Sequence, residues 1–173
     1  MRLLELPIGE RYPEAVNAVI EIPGGSVNKY EYDKKLDVFR LDRTLYSPVH
    51  YPGDYGFIPS TLASDGDPLD VLVLVDQPSF VGCVIEVRPI GLLDMLDQGI
   101  PDQKVLAVSV NNARYHGVIQ YSDVYPHVLN EVKHFFSIYK DLEGKRTSVQ
   151  NWEDKAGAHS LIKKSHEEFK AKR

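Results

Sequence analysis

At 173 residues and 19.6 kDa the chain is long enough to enclose one sizeable core, and it reads as a single domain over residues 1–173. Its net charge of -5 excludes the dominant basic surface on which nucleic-acid binding rests, although small anions remain possible partners where cations cluster locally. A single cysteine, Cys83 in "FVGCVIEV", rules out an internal disulfide and is expected to serve packing in a reducing compartment. The opening "MRLLELPIGERYPE" is broken by Glu5 and Pro7 and lacks a signal-peptide core, and no stretch approaches the roughly 18 apolar residues of a membrane span. A soluble, cytoplasmic protein is expected.

In chain order, the segments "AVIEIP", "KYEYD", "LDVFRLDR", "DVLVLV", "CVIEVRPIGLL" and "KVLAVSV" are rich in Val, Ile, Tyr and Phe and bounded by Gly, Pro, Asn or Asp, which predicts strands. Strands spaced this closely imply a barrel or a strongly coiled sheet. Around the first turn, "IEIPGGSVNKYEYDKK" offers Glu21, then Lys29 and Glu31 on one strand face with Tyr30 and Tyr32 on the other. "FRLDR" adds Arg43, and "YSPVHYPGDYGFIP", carrying Tyr51 and Tyr55, reads as a structured loop because prolines and glycines interleave its aromatics. After Tyr121 the pattern changes: Val128, Leu129, Val132, Phe135, Phe136, Tyr139 and Leu142 recur at helical spacing, with Pro126 suited to a first turn and Gly144 to a stop. A second, more polar helix is predicted from about Asp154, turning Leu161, Ile162 and Phe169 to the core. The predicted class is mainly β (α+β), a small barrel with two helices packed against it late in the chain.

The stretch "SDGDPLDVLVLV" sets Asp65, Asp67 and Asp70 at the mouth of an apolar run that must be buried on both faces. Asp70 has the opposite parity from the other two, so a straight strand would point it away; Gly66 and Pro68 let the chain curl all three toward one point. Carboxylates converging on a rigid backing suit a hard divalent cation with oxygen ligands, Mg²⁺ above all. Solvated charges on common turn dipeptides are the bland alternative. "LDQGIPDQKVLAV" repeats the arrangement with Asp97, Asp102 and Lys104, and Lys140 stands at the edge of the helical stripe. The histidines show no ligand spacing with Cys or Asp, so a zinc centre has little support.

Asp65-Gly66-Asp67-Pro68-Leu69-Asp70-Val71 matches in full the Asp-small-Asp-Pro-apolar-Asp-apolar signature, and "NKYEYD", "YPGDYGFIP" and "HFFSIYKDLE" extend the likeness over nearly the whole chain. The sequence resembles the family I soluble inorganic pyrophosphatases in their compact bacterial form. That resemblance implies a distorted five-stranded OB-like barrel with two late helices, homo-oligomeric assembly, often a hexamer, and hydrolysis of pyrophosphate to two phosphates. It further implies metal ligands at Asp65, Asp70, Asp97 and Asp102, a metal contact near Glu21 and a general base at Asp67. Phosphate contacts would come from Lys29, Arg43, Tyr55, Lys104, Tyr139 and Lys140, with Glu31 supporting the site and Tyr51 lining it. Several Mg²⁺ per site are expected, with Mn²⁺ or Zn²⁺ as substitutes. One loop departs: where the family carries a glutamate after the first aspartate and a Gly-Glu pair before the second, this chain has Gln98, then Ile100 and Pro101.

Such a site sets seven carboxylates against Lys29, Arg43, Lys104 and Lys140, leaving three net negative charges. Like charges ~4 Å apart cost roughly 4 kcal/mol at an effective dielectric of about 20, so a polyanion requires divalent cations first. Two other readings compete. A nucleotide or polyphosphate anhydride would call for an extra stacking pocket, and an oligonucleotide-binding OB module is opposed by the acidic balance.

Overall fold

The computed structural model describes residues 2–172. Its strands are β1 (Val16–Ile22), β2 (Asn28–Asp33), β3 (Val38–Thr44), β4 (Asp54–Ile58), β5 (Leu69–Leu74), β6 (Val84–Asp97), β7 (Ile100–Pro101), β8 (Lys104–Ser109) and β9 (Thr147–Glu153). The helices are α1 (Pro126–Ile138) and α2 (Lys155–Ala171). Strands β1, β4, β5, β8 and β6 pair in that order, and β6 pairs back to β1, closing a ring of five. Only β5 and β8 run parallel within the ring. The long β6 outruns it, and its far half pairs with β7 and β9. Strands β2 and β3 form a separate hairpin. The predicted uneven barrel with two late helices is the observed architecture.

The apolar runs behave as their composition dictates. In β5, Val71 and Val73 join one buried cluster with Val16, Ile20, Val105, Ala107 and α2's Ala158 and Ile162. Leu72 and Leu74 face the other way, into a cluster with Leu106, Val108, Met95 and α1's Val132, Phe135 and Phe136. Alternate residues of one strand therefore feed two cores, as an unbroken apolar sequence requires. Each such side chain contributes about 1.5–3 kcal/mol by leaving water.

Three strands lie outside the six predicted, one of them the two-residue β7. "DYGFI", read as part of a loop, is β4 and is buried throughout. Gly56 makes this possible, because a Cβ there would sit 1.9 Å from the Val19 carbonyl oxygen of neighbouring β1. Strand β9 was also unforeseen, since its alternation leaves mostly polar side chains outward. The first helix stops at Ile138; a 3₁₀ turn over Asp141–Glu143 follows and ends at Gly144 with φ 71°, so Leu142 stays exposed rather than joining the stripe. Asp154 caps α2, its carboxylate accepting from the Gly157 N–H at 3.0 Å. Cys83 is only half-buried. No helix among the described residues is long and apolar enough to cross a membrane.

Candidate active site

The acidic turn bends as its glycine and proline dictate. Gly66 takes φ 91°, its N–H donates to the Ala63 carbonyl, and the Asp65 carboxylate accepts from the Asp67 N–H at 2.9 Å. Asp65 and Asp67 thus stay at the turn while Asp70 enters β5. The parallel register of β5 with β8 pairs Val71 with Val105, which sets Lys104 beside Asp70. Both have the parity of Leu72 and Leu106, so both point toward the core shared with α1.

Lys104 is the hub of this wall. Its ammonium, with a side chain 5% exposed, lies 2.5 Å from Asp70 and 2.6 Å from Asp102. It also stands 5.6 Å from the centre of the Tyr55 ring and 6.0 Å from that of Phe136. Burial alone would lower the pKa of this amine, but the two carboxylates outweigh it and raise it above the ordinary lysine value. Burial pushes Asp102 upward in turn, against the pull of Lys104. The Tyr55 hydroxyl donates at 2.7 Å to Oδ2 of Asp70, the same oxygen that Lys104 contacts, and burial first, then nearby aspartates, keep both Tyr55 and Tyr139 protonated as donors.

The opposite wall is the β2–β3 hairpin with the end of β1. Glu21 accepts the Tyr32 N–H at 2.8 Å, yet burial drives its pKa to about 7, with Asp70 adding to the rise. Lys29 ion-pairs with Glu31 and lies 3.8 Å from Asp42. The Asp97 carboxylate pairs with Lys140, which follows α1. Between Asp97 and Asp102 the chain makes a two-residue hairpin in which Gln98 (φ 52°) and Gly99 (φ 83°) both take positive φ, leaving Ile100 exposed on the cleft.

One cleft of about 450 Å³ brings together Glu21, Lys29, Glu31, Tyr55, Asp65, Asp67, Asp70, Asp97, Asp102, Lys104, Tyr139 and Lys140. Two predicted residues are not among its lining. Arg43 pairs across the hairpin with Lys29, its guanidinium held by Asp42 at 2.5 Å and by the nearly buried Glu143 at 2.9 Å. Tyr51 does not line the cleft; it is 2% exposed and packs behind Tyr55 and against Phe135, with ring centres 5.4 and 4.7 Å away. Sequence reasoning missed Lys34, which lines the cleft and ion-pairs with Asp67, and the anchors Asp42 and Glu143.

As they stand, Glu31, Asp67, Asp70, Asp97 and Asp102 pair with lysines while Glu21 and Asp65 accept backbone N–H groups, and among the described residues no three His, Cys, Asp or Glu side chains converge closely enough to hold a metal. Asp70 and Asp102 nevertheless reach one common point, the Lys104 nitrogen, at 2.5 and 2.6 Å. The donors around them are oxygens alone, which fits a hard divalent cation and not zinc chemistry built on His or Cys.

The profile of the family described as inorganic pyrophosphatase matches residues 18–170. The chain belongs to that family. It is 52% identical over 158 residues to the inorganic pyrophosphatase of Nostoc sp., covering 91% of this chain and 94% of the relative. The inorganic pyrophosphatase of Methanosarcina acetivorans is 47% identical over 164 residues, 95% of this chain and 96% of that one. In three dimensions the crystal structure of inorganic pyrophosphatase from Thermus thermophilus superposes with a TM-score of 0.96 at 46% identity, covering 98% and 99% of the two chains. In this pyrophosphatase the signature aspartates stand at the mouth of a cleft that also presents lysines and tyrosine hydroxyls.

Proposed function

We propose that this chain hydrolyses inorganic pyrophosphate to two phosphates with Mg²⁺, using Asp67 as the proton acceptor. The observation that carries the reading is the meeting of Asp70, Asp102 and Tyr55 around Lys104 in a cleft lined by five aspartates and four lysines. Asp65, Asp70, Asp97 and Asp102 would hold the cations, with Glu21 nearby. When bound, Mg²⁺ supplies the positive charge that a polyanion requires here and brings the pKa of a coordinated water toward neutrality.

The protein's own groups do the rest. Lys29, Lys104 and Lys140 spread positive charge along the cleft and orient the two phosphates, while Arg43 stands beside Lys29 on the neighbouring strand. Tyr55 and Tyr139, kept protonated by burial, donate hydrogen bonds to oxygens that gain charge as the bridge breaks. Asp67 projects from its turn with its carboxylate largely exposed to the cleft, placed to take the proton of the attacking water. Glu31 holds Lys29 in line. Tyr51 acts through Tyr55 by packing. A cytoplasmic homo-oligomer of single-domain protomers completes the reading.

A phosphate-release assay on pyrophosphate tests it: release should require Mg²⁺ and vanish with chelator. Asp67→Asn should lower kcat by about 10²–10⁴ while Mg²⁺ titration by calorimetry stays as in the wild type. Normal turnover in Asp67→Asn removes Asp67 as base, and release that persists in chelator removes the metal.

A further inference from the structure

Asp67 has a difficulty built into its position. It sits at the tip of a turn whose Gly66 has no neighbour within 4 Å of where a Cβ would lie, and its own side chain is 63% exposed. A carboxylate so placed swings through several rotamers, whereas a proton acceptor must hold one line of approach. What touches it is Lys34, whose ammonium ion-pairs with Oδ1 of Asp67 from across the cleft.

Lys34 comes from a turn that is itself fixed. Asp33 accepts the backbone N–H groups of Lys35 at 2.9 Å and Leu36 at 3.0 Å through one oxygen, and the Arg40 guanidinium at 3.1 Å through the other. The hairpin bearing this turn also carries Lys29 and Glu31. Thus the wall that meets the substrate reaches over to the wall that carries the base, and this lysine makes a contact between them. Lys35, one residue on, has no place in the cleft lining.

We propose that Lys34 is a positioning residue for the hydrolysis: from a rigid turn it fixes the orientation of the Asp67 carboxylate, acting through Asp67 and not on the phosphates. This rests on the reading of Asp67 given above. Lys34→Met should lower kcat about three- to tenfold, the range set by one exposed ion pair and the rate cost of a misoriented group, while KM for magnesium pyrophosphate stays within twofold. Lys34→Arg should recover most of the loss, and Lys35→Met, which removes the same charge one residue away, should match the wild type.

The deciding measurement adds Lys34→Met to Asp67→Asn and follows residual phosphate release. No further loss in the double variant supports positioning through Asp67. A further loss equal to that of Lys34→Met alone overturns it, as does a raised KM with kcat intact, which would make Lys34 a substrate contact. Should Asp67→Asn turn over normally, the reading of Asp67 as base fails. A silent Lys34→Met beside a crippled Asp67→Asn fails this inference alone.

Discussion

Glu21→Gln tests the electrostatics of the cleft without touching its shape. The substitution is isosteric, and the new amide oxygen keeps the 2.8 Å hydrogen bond from the Tyr32 N–H. In the folded protein the Glu21 carboxyl titrates at about 7 against an ordinary value of 4.5, chiefly because it is buried and secondarily because Asp70 is near. Below pH 4.5 folded and unfolded chains both carry the proton and the residue contributes no difference. Between 4.5 and 7 the unfolded chain releases its proton first, so stability falls as pH rises, and above 7 the full penalty is present. At about 1.4 kcal/mol per pKa unit, and discounted for partial exposure, that penalty is about 2–3 kcal/mol. In chelator at pH 8, Glu21→Gln should therefore melt roughly 5–10 °C above the wild type, with the gap closing by pH 4.5. Saturating Mg²⁺ should shrink or reverse it, since the ionised carboxylate then faces a dication. A variant less stable than the wild type in chelator at pH 8, or a gap that ignores pH, refutes the reasoning.

Lys104→Met removes the buried ammonium that Asp70 and Asp102 share and leaves two half-buried carboxylates facing each other. Breaking one partner of a buried pair costs about 3–5 kcal/mol, so urea unfolding in chelator should shift by that amount, and Mg²⁺ should restore part of it; an unshifted midpoint would show that the pair contributes nothing. Mg²⁺ at about a hundred times its dissociation constant should stabilise the wild type by roughly 2.7 kcal/mol, read as a rise of several degrees in Tm, and identical melts with Mg²⁺ and with chelator would contradict binding to the folded cleft.

What the sequence reveals of this fold follows from where its physics is local. An apolar run such as Val71–Val75 requires a hydrophobic surface on each side, so β5 and β8 were legible without knowing their neighbours. Strand β4 was not: its glycine and flanking prolines carry loop signals, and only the approach of β1 over Gly56 explains why a side chain is absent there. The carboxylates were legible because three of them share one bent hexapeptide. Their partners were not, since Lys34 lies 33 residues from Asp67 and Glu143 lies 100 from Arg43, with no spacing rule joining them. Arg43 and Tyr51 show the same limit from the other side: a residue type fixed by motif does not say whether the side chain lines a cleft or braces one that does.

The cost of setting an aspartate at the mouth of a buried strand is met by strand register. Val71 pairs with Val105 on a parallel neighbour, so the preceding residues, Asp70 and Lys104, arrive side by side on the same face. A slip of one residue would turn Leu106 and Val108 out of the α1-facing core and carry Lys104 to the opposite face. The hydrophobic pattern that fixes the barrel thus also delivers the cation to the carboxylate. Partial compensation of the Asp70 charge is enforced by burial of side chains that never touch the cleft, which is why a carboxylate can stand at the mouth of this strand without unfolding it.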